Sequence, residues 1–172
     1  LLEHLGYGEA SSFKHVEYQD IANRYGVKEL GHEHETDLCK TYGRAVFLEK
    51  FPEHTSPFWN MKRSGDGYAN KIDVIIDGME TIGSAERGSN PQDMRESFYS
   101  ICEGGYANKL FNLFGRERVE RELEAFLSCN FTPRFGGGIG LTRLIQSLEC
   151  QPTSSFMPSL MSNKMNSGTG LF

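Results

Sequence analysis

Phe131-Thr-Pro-Arg-Phe-Gly-Gly-Gly-Ile-Gly-Leu-Thr-Arg143-Leu-Ile-Gln-Ser-Leu-Glu149 is the stretch on which the reading of this chain turns. A glycine-rich strand or turn runs straight into an amphipathic helix, with an arginine one turn inside it. Glycines without Cβ let a flat ligand lie against the backbone. A helix start supplies positive potential, and a guanidinium offers a planar cation to a phosphate or a base. The common nucleotide fingerprints do not fit. Gly138-x-Gly140-x-x is followed by Arg143, where a dinucleotide motif has its third glycine, and no Gly-Lys-Ser/Thr is present for a phosphate loop. What stands is Gly-x-Gly-x-x-Arg.

Upstream lies Lys71-Ile-Asp73-Val-Ile-Ile-Asp-Gly78-Met-Glu80-Thr-Ile-Gly-Ser84-Ala-Glu-Arg87. The run Ile72, Val74, Ile75, Ile76 is short and β-branched, which predicts a buried strand. Asp77-Gly78 is a hairpin turn signal. Period-two alternation over Met79–Ala85 predicts Glu80, Ile82 and Ser84 on one face, with Thr81, Gly83 and Ala85 on the other. Glu80 and Arg87 are polar residues in an apolar sheet, a costly placement unless they bind something or each other. From this segment alone, a structural ion pair and a ligand site are both open.

A third segment is Val46-Phe-Leu-Glu-Lys-Phe-Pro52-Glu-His-Thr-Ser-Pro57-Phe58-Trp-Asn-Met61-Lys62, preceded by Glu33-His34-Glu35 at the start of a predicted helix. In this order and spacing the segments resemble the catalytic core of class II aminoacyl-tRNA synthetases. Gly-Gly-Gly-Ile-Gly-x-x-Arg143 resembles their third signature motif. Glu80 with Arg87 seven residues on resembles the Glu-x-x-Ser-Gly-Ala-Gln-Arg phrase of the aspartate branch, and Phe51-Pro52 with Pro57-Phe58 resembles its Tyr/Phe-Pro and Pro-Phe-Tyr-Met. The likeness covers roughly residues 15–149 and is closest to asparaginyl-tRNA synthetase and the related AMP-forming, archaeal-type asparagine synthetase. The wording of Gly78–Arg87 and Gly136–Gly140 leans toward the enzyme that makes free asparagine.

The chemistry the resemblance implies is ATP-dependent adenylation of aspartate or asparagine. A carboxylate attacks the α-phosphate and pyrophosphate leaves, so positioning and charge stabilisation suffice without a nucleophilic side chain. Mg²⁺ is the expected metal, because it takes one or two carboxylates plus phosphate oxygens. Glu80 is the expected ligand, with Asp73 second or behind it. Arg87 is expected to hold the substrate's side-chain carboxylate or amide in bidentate fashion. Arg143 is expected to meet adenine or the terminal phosphate, Gly138 and Gly140 to line the adenine and ribose, and Gly136 to approach the substrate. Ser84 is the expected hydrogen-bonding neighbour, although the family's serine stands one position earlier, where this chain has Gly83. With ammonia as acceptor the product is asparagine, and with tRNA the protein is a ligase. A paralogue that only binds nucleotide is the reading from another class.

The family's first two motifs, a dimer-forming helix and strand and a strand pair whose arginine holds the α-phosphate, are not visible. Residues 1–150 therefore read as the motif-three half of the domain, belonging to a homodimer when the protein is complete. Residues 151–172 are rich in Ser, Asn, Gly and Met without lasting period and read as an irregular or disordered tail. The expected fold is α+β, an antiparallel sheet flanked by helices.

Composition sets the remaining bounds. At 172 residues the chain is one domain, with a net charge of −5 that argues against nucleic-acid binding by this piece alone. Its four cysteines are scattered with no Cys-x-x-Cys, as in a reduced cytoplasmic protein, and no membrane span is apparent. His32-Glu-His34-Glu35 lacks the four-residue spacing of a helical zinc pair and reads as a charge cluster at a helix start. Helices are predicted over Tyr18–Tyr25, closed by Gly26, over Glu33–Tyr42, closed by Gly43, after the Asn90-Pro91 cap, and from Arg116. The last buries Val119, Leu123 and Phe126, its Arg/Glu run being a solvated face. Strands are predicted over Ala45–Phe51, Lys71–Asp77 and Met79–Ala85.

Overall fold

The computed structural model describes residues 1–55 and 58–150, so Pro57 and the predicted tail lie outside the described residues. In chain order its elements are β1 (Lys14–Glu17), α1 (Tyr18–Tyr25), α2 (His32–Tyr42), β2 (Ala45–Pro52), β3 (Tyr68–Ile76), β4 (Met79–Arg87), α3 (Pro91–Ser100), α4 (Gly105–Phe114), α5 (Arg116–Leu127), β5 (Arg134–Ile139) and α6 (Leu141–Glu149). The predicted helices and central strands are present within a few residues of their expected bounds. Gly26 closes α1 in the left-handed conformation, and the Asn90 side chain accepts from the Gln92 N–H at 2.9 Å to start α3. After α3 the chain breaks through consecutive positive φ at Cys102, Glu103 and Gly104, and a further helix, α4, follows.

The strands form one sheet in the order β1-β2-β3-β4-β5. It is mixed, which corrects the expectation of a purely antiparallel sheet. β1 runs parallel to β2, while the other three pairings are antiparallel. The reason is the connection: α1 and α2 lie between β1 and β2, and a helical crossover returns the chain in its original direction. The β3–β4 turn has positive φ at both Asp77 and Gly78, the two-residue hairpin geometry that matches strand twist. Gly78 is required there twice over, since a Cβ would also stand 3.0 Å from the Thr36 Cα.

One face of the sheet carries Val46, Leu48, Asp73 and Ile75, and α1 and α2 cover its β2–β3 half with Tyr18, Ile21, Ala22 and Leu38. The other face carries Ala45, Phe47, Val74, Ile76 and Ile82 and packs against Leu2, Tyr7, Phe13 and Leu144. α3, α4 and α5 bury a separate cluster of Met94, Phe98, Val119, Leu123 and Leu127, joined by Trp59. α2 reaches the start of β4, and the candidate site lies on the β4–β5 part of this face beyond it.

α6 is tied to the hairpin turn by a polar cluster. Arg44 donates to both Asp77 oxygens, at 2.8 and 2.6 Å, and Ser147, fully buried, hydrogen-bonds Asp77 and Tyr7. One turn upstream of Ser147 on α6 stands Arg143, so this cluster fixes where that arginine emerges.

Candidate active site on the β3–β4–β5 face

A single backbone irregularity assembles the site. Pairing runs Lys71↔Ala85, Ile72↔Ser84, Asp73↔Gly83 and Val74↔Ile82, then jumps to Ile75↔Glu80. Thr81 is the extra residue of a β-bulge, and it turns Glu80 onto the face of Asp73, Gly83, Ala85 and Arg87. This corrects the predicted alternation, which set Glu80 with Ile82 and Ser84. The bulge is held from β5's end, where the Gly140 N–H donates to the Thr81 carbonyl at 2.8 Å.

On the same face β5 pairs Gly138 with Gly83 and Gly136 with Ala85. The floor is thus nearly free of side chains, with charged groups at its margins. A Cβ on Gly83 would meet Glu80 Oε1 at 3.0 Å and Asp73 Oδ1 at 3.2 Å, so both carboxylates overhang that glycine. A serine there, as in the family phrase, would crowd them. Asp73 is 3% exposed, and its Oδ1 is a buried side-chain atom without a hydrogen-bond partner. Burial pushes its carboxyl up to about 6, against the pull of Lys71, whose Nζ donates to Oδ2. An orphaned buried oxygen beside a second carboxylate fits a divalent cation such as Mg²⁺.

Arg87 closes the opposite margin. Its Nη2 donates to the Gly136 carbonyl at 3.2 Å, and its guanidinium lies 5.6 Å from the centre of the exposed Phe58 ring. A Cβ on Gly136 would come within 2.8 Å of Arg87 Nε, so this glycine is the seat of the arginine. Met61 pairs with Arg87 as an isolated bridge and forms the wall beside it. Phe58, Met61, Lys71, Glu80, Arg87 and Gly138 bound a pocket of about 280 Å³. At the other end of β4, the Arg143 Nη1 donates to the Glu80 carbonyl. Arg143, Glu80, Met79, His32 and Glu35 surround a neighbouring depression.

The expected residues Glu80, Asp73, Arg87, Gly136, Gly138, Gly140 and Arg143 thus come together along one sheet face and its end. Ser84 does not. It pairs with Ile72 and Gly137 on the other side of the strand, and its hydroxyl donates to the Ile72 carbonyl at 3.4 Å. The His34 imidazole accepts from the Gly31 N–H at 2.8 Å and so caps the start of α2. Lys71 is the charged pocket residue that sequence reasoning left without a role. Its signal was the two-residue step to Asp73, which puts both on one strand face.

The neighbouring glycines separate structural from spatial need. A Cβ at Gly137 would stand 2.7 Å from the Gly83 carbonyl oxygen and 2.8 Å from the Ser84 Cβ, whereas one at Gly138 meets nothing within 4 Å. Gly137→Ala is expected to destabilise the protein by about 1–3 kcal/mol, and Gly138→Ala to stay within about 0.5 kcal/mol of wild type. Urea unfolding of the two variants checks this, and equal losses would place the open floor wrongly.

A mixed sheet with flanking helices, whose glycine-rich edge strand leads into an arginine-bearing helix beside a Glu–Arg strand, is the catalytic fold of class II aminoacyl-tRNA synthetases. The chain belongs to the family of class II tRNA synthetases (D, K and N), which matches residues 5–153. The aspartate–tRNA(Asp) ligase of Pyrobaculum aerophilum is 26% identical over 150 residues, 81% of this chain and 32% of that protein. A lysine–tRNA ligase of Porphyromonas gingivalis is 22% identical over 161 residues, 87% of this chain and 26% of the relative. Asparaginyl-tRNA synthetase from Pyrococcus horikoshii, complexed with asparaginyl-adenylate, matches 79% of this chain and 31% of its own with a TM-score of 0.59 at 22% identity. Aspartyl-tRNA synthetase from Entamoeba histolytica gives 0.59 at 20% identity, over 80% of this chain and 29% of that one. The chain spans 32% and 26% of the length of the two curated relatives. No helix among the described residues is long and apolar enough to cross a membrane.

Proposed function

We propose that the complete protein activates aspartate with ATP on the open face of β3, β4 and β5, releasing pyrophosphate and forming an aspartyl-adenylate. The observation that carries this reading is the bulge at Thr81. It puts Glu80 and Asp73 at one margin of a glycine floor whose other margin is Arg87. Aspartate has two carboxylates, one to react and one to be held, and the Arg87 fork suits the held one. The bare floor over Gly83 and Gly138 lets the adenylate lie close to backbone, and Arg143 supplies positive charge at the end of β4. Mg²⁺, held by Glu80 and Asp73, would neutralise charge on the phosphate oxygens. Positioning by these groups, rather than a side-chain nucleophile, lowers the barrier.

With ammonia as acceptor, the side-chain carboxylate is the one activated, Arg87 holds the α-carboxylate, and the products are asparagine and AMP. This acceptor rests on the likeness of Gly78–Arg87 and Gly136–Gly140 to the asparagine-forming enzyme. The second reading, transfer to tRNA from an activated α-carboxylate, is favoured by the tRNA ligases among the relatives. Amino-acid-dependent ATP–pyrophosphate exchange on the full-length gene product tests the proposal. Exchange with aspartate, followed by free asparagine on adding ammonia, is the expected result. Exchange driven by asparagine alone would replace it with the tRNA-charging reading, and silence with both would leave no adenylation to explain.

A further inference from the structure

Glu80 and Arg143 come from different elements, and a polar clasp away from the substrates holds those elements together. The Arg143 Nη1 donates to the Glu80 carbonyl, so the seating of α6 against β4 decides where the guanidinium stands. α6 is nine residues long, short of what a lone helix needs to be stable. Among the described residues its apolar hold is small. Leu144 packs beside Leu2, Val74 and Ile76, whereas Leu141 and Ile145 are exposed. Apolar contact has no direction and leaves the rotation of a helix about its axis loosely set. Hydrogen bonds do have direction. The Gly140 N–H ties the start of α6 to the Thr81 carbonyl, and Ser147 supplies the second tie. Ser147 stands four residues beyond Arg143, on the same side of the helix, and is fully buried. Its hydroxyl donates to Asp77 Oδ2, which leaves its oxygen to accept from the Tyr7 hydroxyl at 2.6 Å. Arg44 completes the clasp by holding both Asp77 oxygens and reaching the Ser147 carbonyl at 3.3 Å. Asp77 lies three residues before Glu80 in the same hairpin, so the clasp joins the helix carrying Arg143 to the hairpin carrying Glu80.

We infer that Ser147 is a positioning residue for the nucleotide, holding α6 through Asp77 and Tyr7 in the rotation that presents Arg143 beside Glu80. The inference rests on the reading that Arg143 meets ATP, and adds to it a residue that touches neither substrate. Removing the Ser147 hydroxyl leaves the Tyr7 hydroxyl and one Asp77 oxygen each short of a partner, a loss at the far end of the helix turn that starts from Arg143. A clasp that only staples the fold makes a different prediction, because its loss would weaken both substrates alike or neither.

The test measures ATP binding by calorimetry, together with exchange kinetics and melting curves, on full-length wild type, Ser147→Ala, Tyr7→Phe and Val119→Ala. Val119 is buried in the cluster of α3, α4 and α5, away from the clasp, so its truncation is the control for lost stability alone. Ser147→Ala is expected to raise Kd and KM for ATP about tenfold, the loss of a hydrogen bond to a charged group, and to leave KM for aspartate within about twofold. Tyr7→Phe keeps the bond from Ser147 to Asp77 and is the milder variant, expected to raise both ATP constants about threefold. It decides the question if Ser147→Ala does not fold. Val119→Ala should lower the melting temperature and leave ATP affinity unchanged. ATP affinity unchanged in the clasp variants, or lost in step with aspartate affinity, would make the clasp a staple of the fold and overturn the inference. A wild type that binds ATP but catalyses no exchange would remove the adenylation reading, while ATP binding against the Val119→Ala control would still decide Ser147. A wild type that binds no ATP overturns both.

Discussion

Arg87→Ala in the full-length gene product is expected to lower aspartate-dependent ATP–pyrophosphate exchange by about a hundred- to a thousandfold, most of it through KM for aspartate. The size follows from removing one partner of a desolvated charge pair, a loss of about 3–4 kcal/mol when the other charge is left in the pocket. Arg87 reaches the site from the last position of β4, over Gly136 and beside Phe58. Its one side-chain hydrogen bond within the described residues is to the Gly136 carbonyl at 3.2 Å, so the fold loses little with the guanidinium. Melting temperature is therefore expected to move far less than activity. Arg87→Lys keeps the charge and discards the planar fork, and should recover only part of the loss. Gly136→Ala provides the complementary case. Its methyl would enter the space of Arg87 Nε, displacing the guanidinium without deleting it, and exchange should fall while the charge remains. If Arg87→Ala leaves KM for aspartate unchanged, the held carboxylate lies elsewhere and the orientation of substrate on this face is wrong.

How these groups come together was only partly legible in the sequence. The glycine-rich β5 and the amphipathic α6 could be read because absent side chains and helical periodicity are local properties. The Asp77-Gly78 turn was local as well. The relation of Glu80 to Arg87 was not. A separation of seven residues sets two side chains on opposite faces of a regular strand, so a site using both needs one extra residue between them. Thr81 is that residue, and what holds the bulge is the Gly140 N–H, distant in sequence and on another element. Strict alternation therefore misplaced Glu80. β1 escaped notice for a similar reason. Lys14–Glu17 is four residues long, shows no apolar alternation, and is a strand only because Val46–Glu49 offers it an edge. The parallel sense of that pairing follows from the crossover through α1 and α2, which no local pattern records. Lys71 and Asp73 stood in plain view as an alternating pair, but the approach of Asp73 to Glu80 over Gly83 depends on the register between β3 and β4.

Metal-free protein is expected to lose stability as pH rises from about 4 to about 6, through Asp73, by up to about 3 kcal/mol. Burial is the principal cause, since it moves the folded-state pKa from 3.8 to about 6, Lys71 opposing it and Glu80 adding to it. Between those two values the folded state binds a proton that the unfolded chain has released, so stability falls with rising pH across that window. Below it the carboxyl is neutral in both states and the contribution is fully present; above it the charge is paid in full and the curve is flat again. A shift of about two units corresponds to about 3 kcal/mol. Asp73→Asn keeps the shape and an acceptor for Lys71 while removing the charge, so the difference between its urea-unfolding free energy and that of wild type isolates this residue from the other carboxylates. In chelator at pH 7.5 the variant should be the more stable protein, and at pH 3.5 the two should converge. Mg²⁺ should then raise the stability of wild type and not of the variant, because the cation finds its orphaned oxygen only in the former. A wild type whose stability is level across this window, or a variant that gains as much from Mg²⁺, would take Asp73 out of the metal site. The strain of burying Asp73 without a full set of partners would in that case have no return in ligand binding. On the expected outcome it is the standing cost of a carboxylate held ready for a cation, beside a glycine that leaves it room.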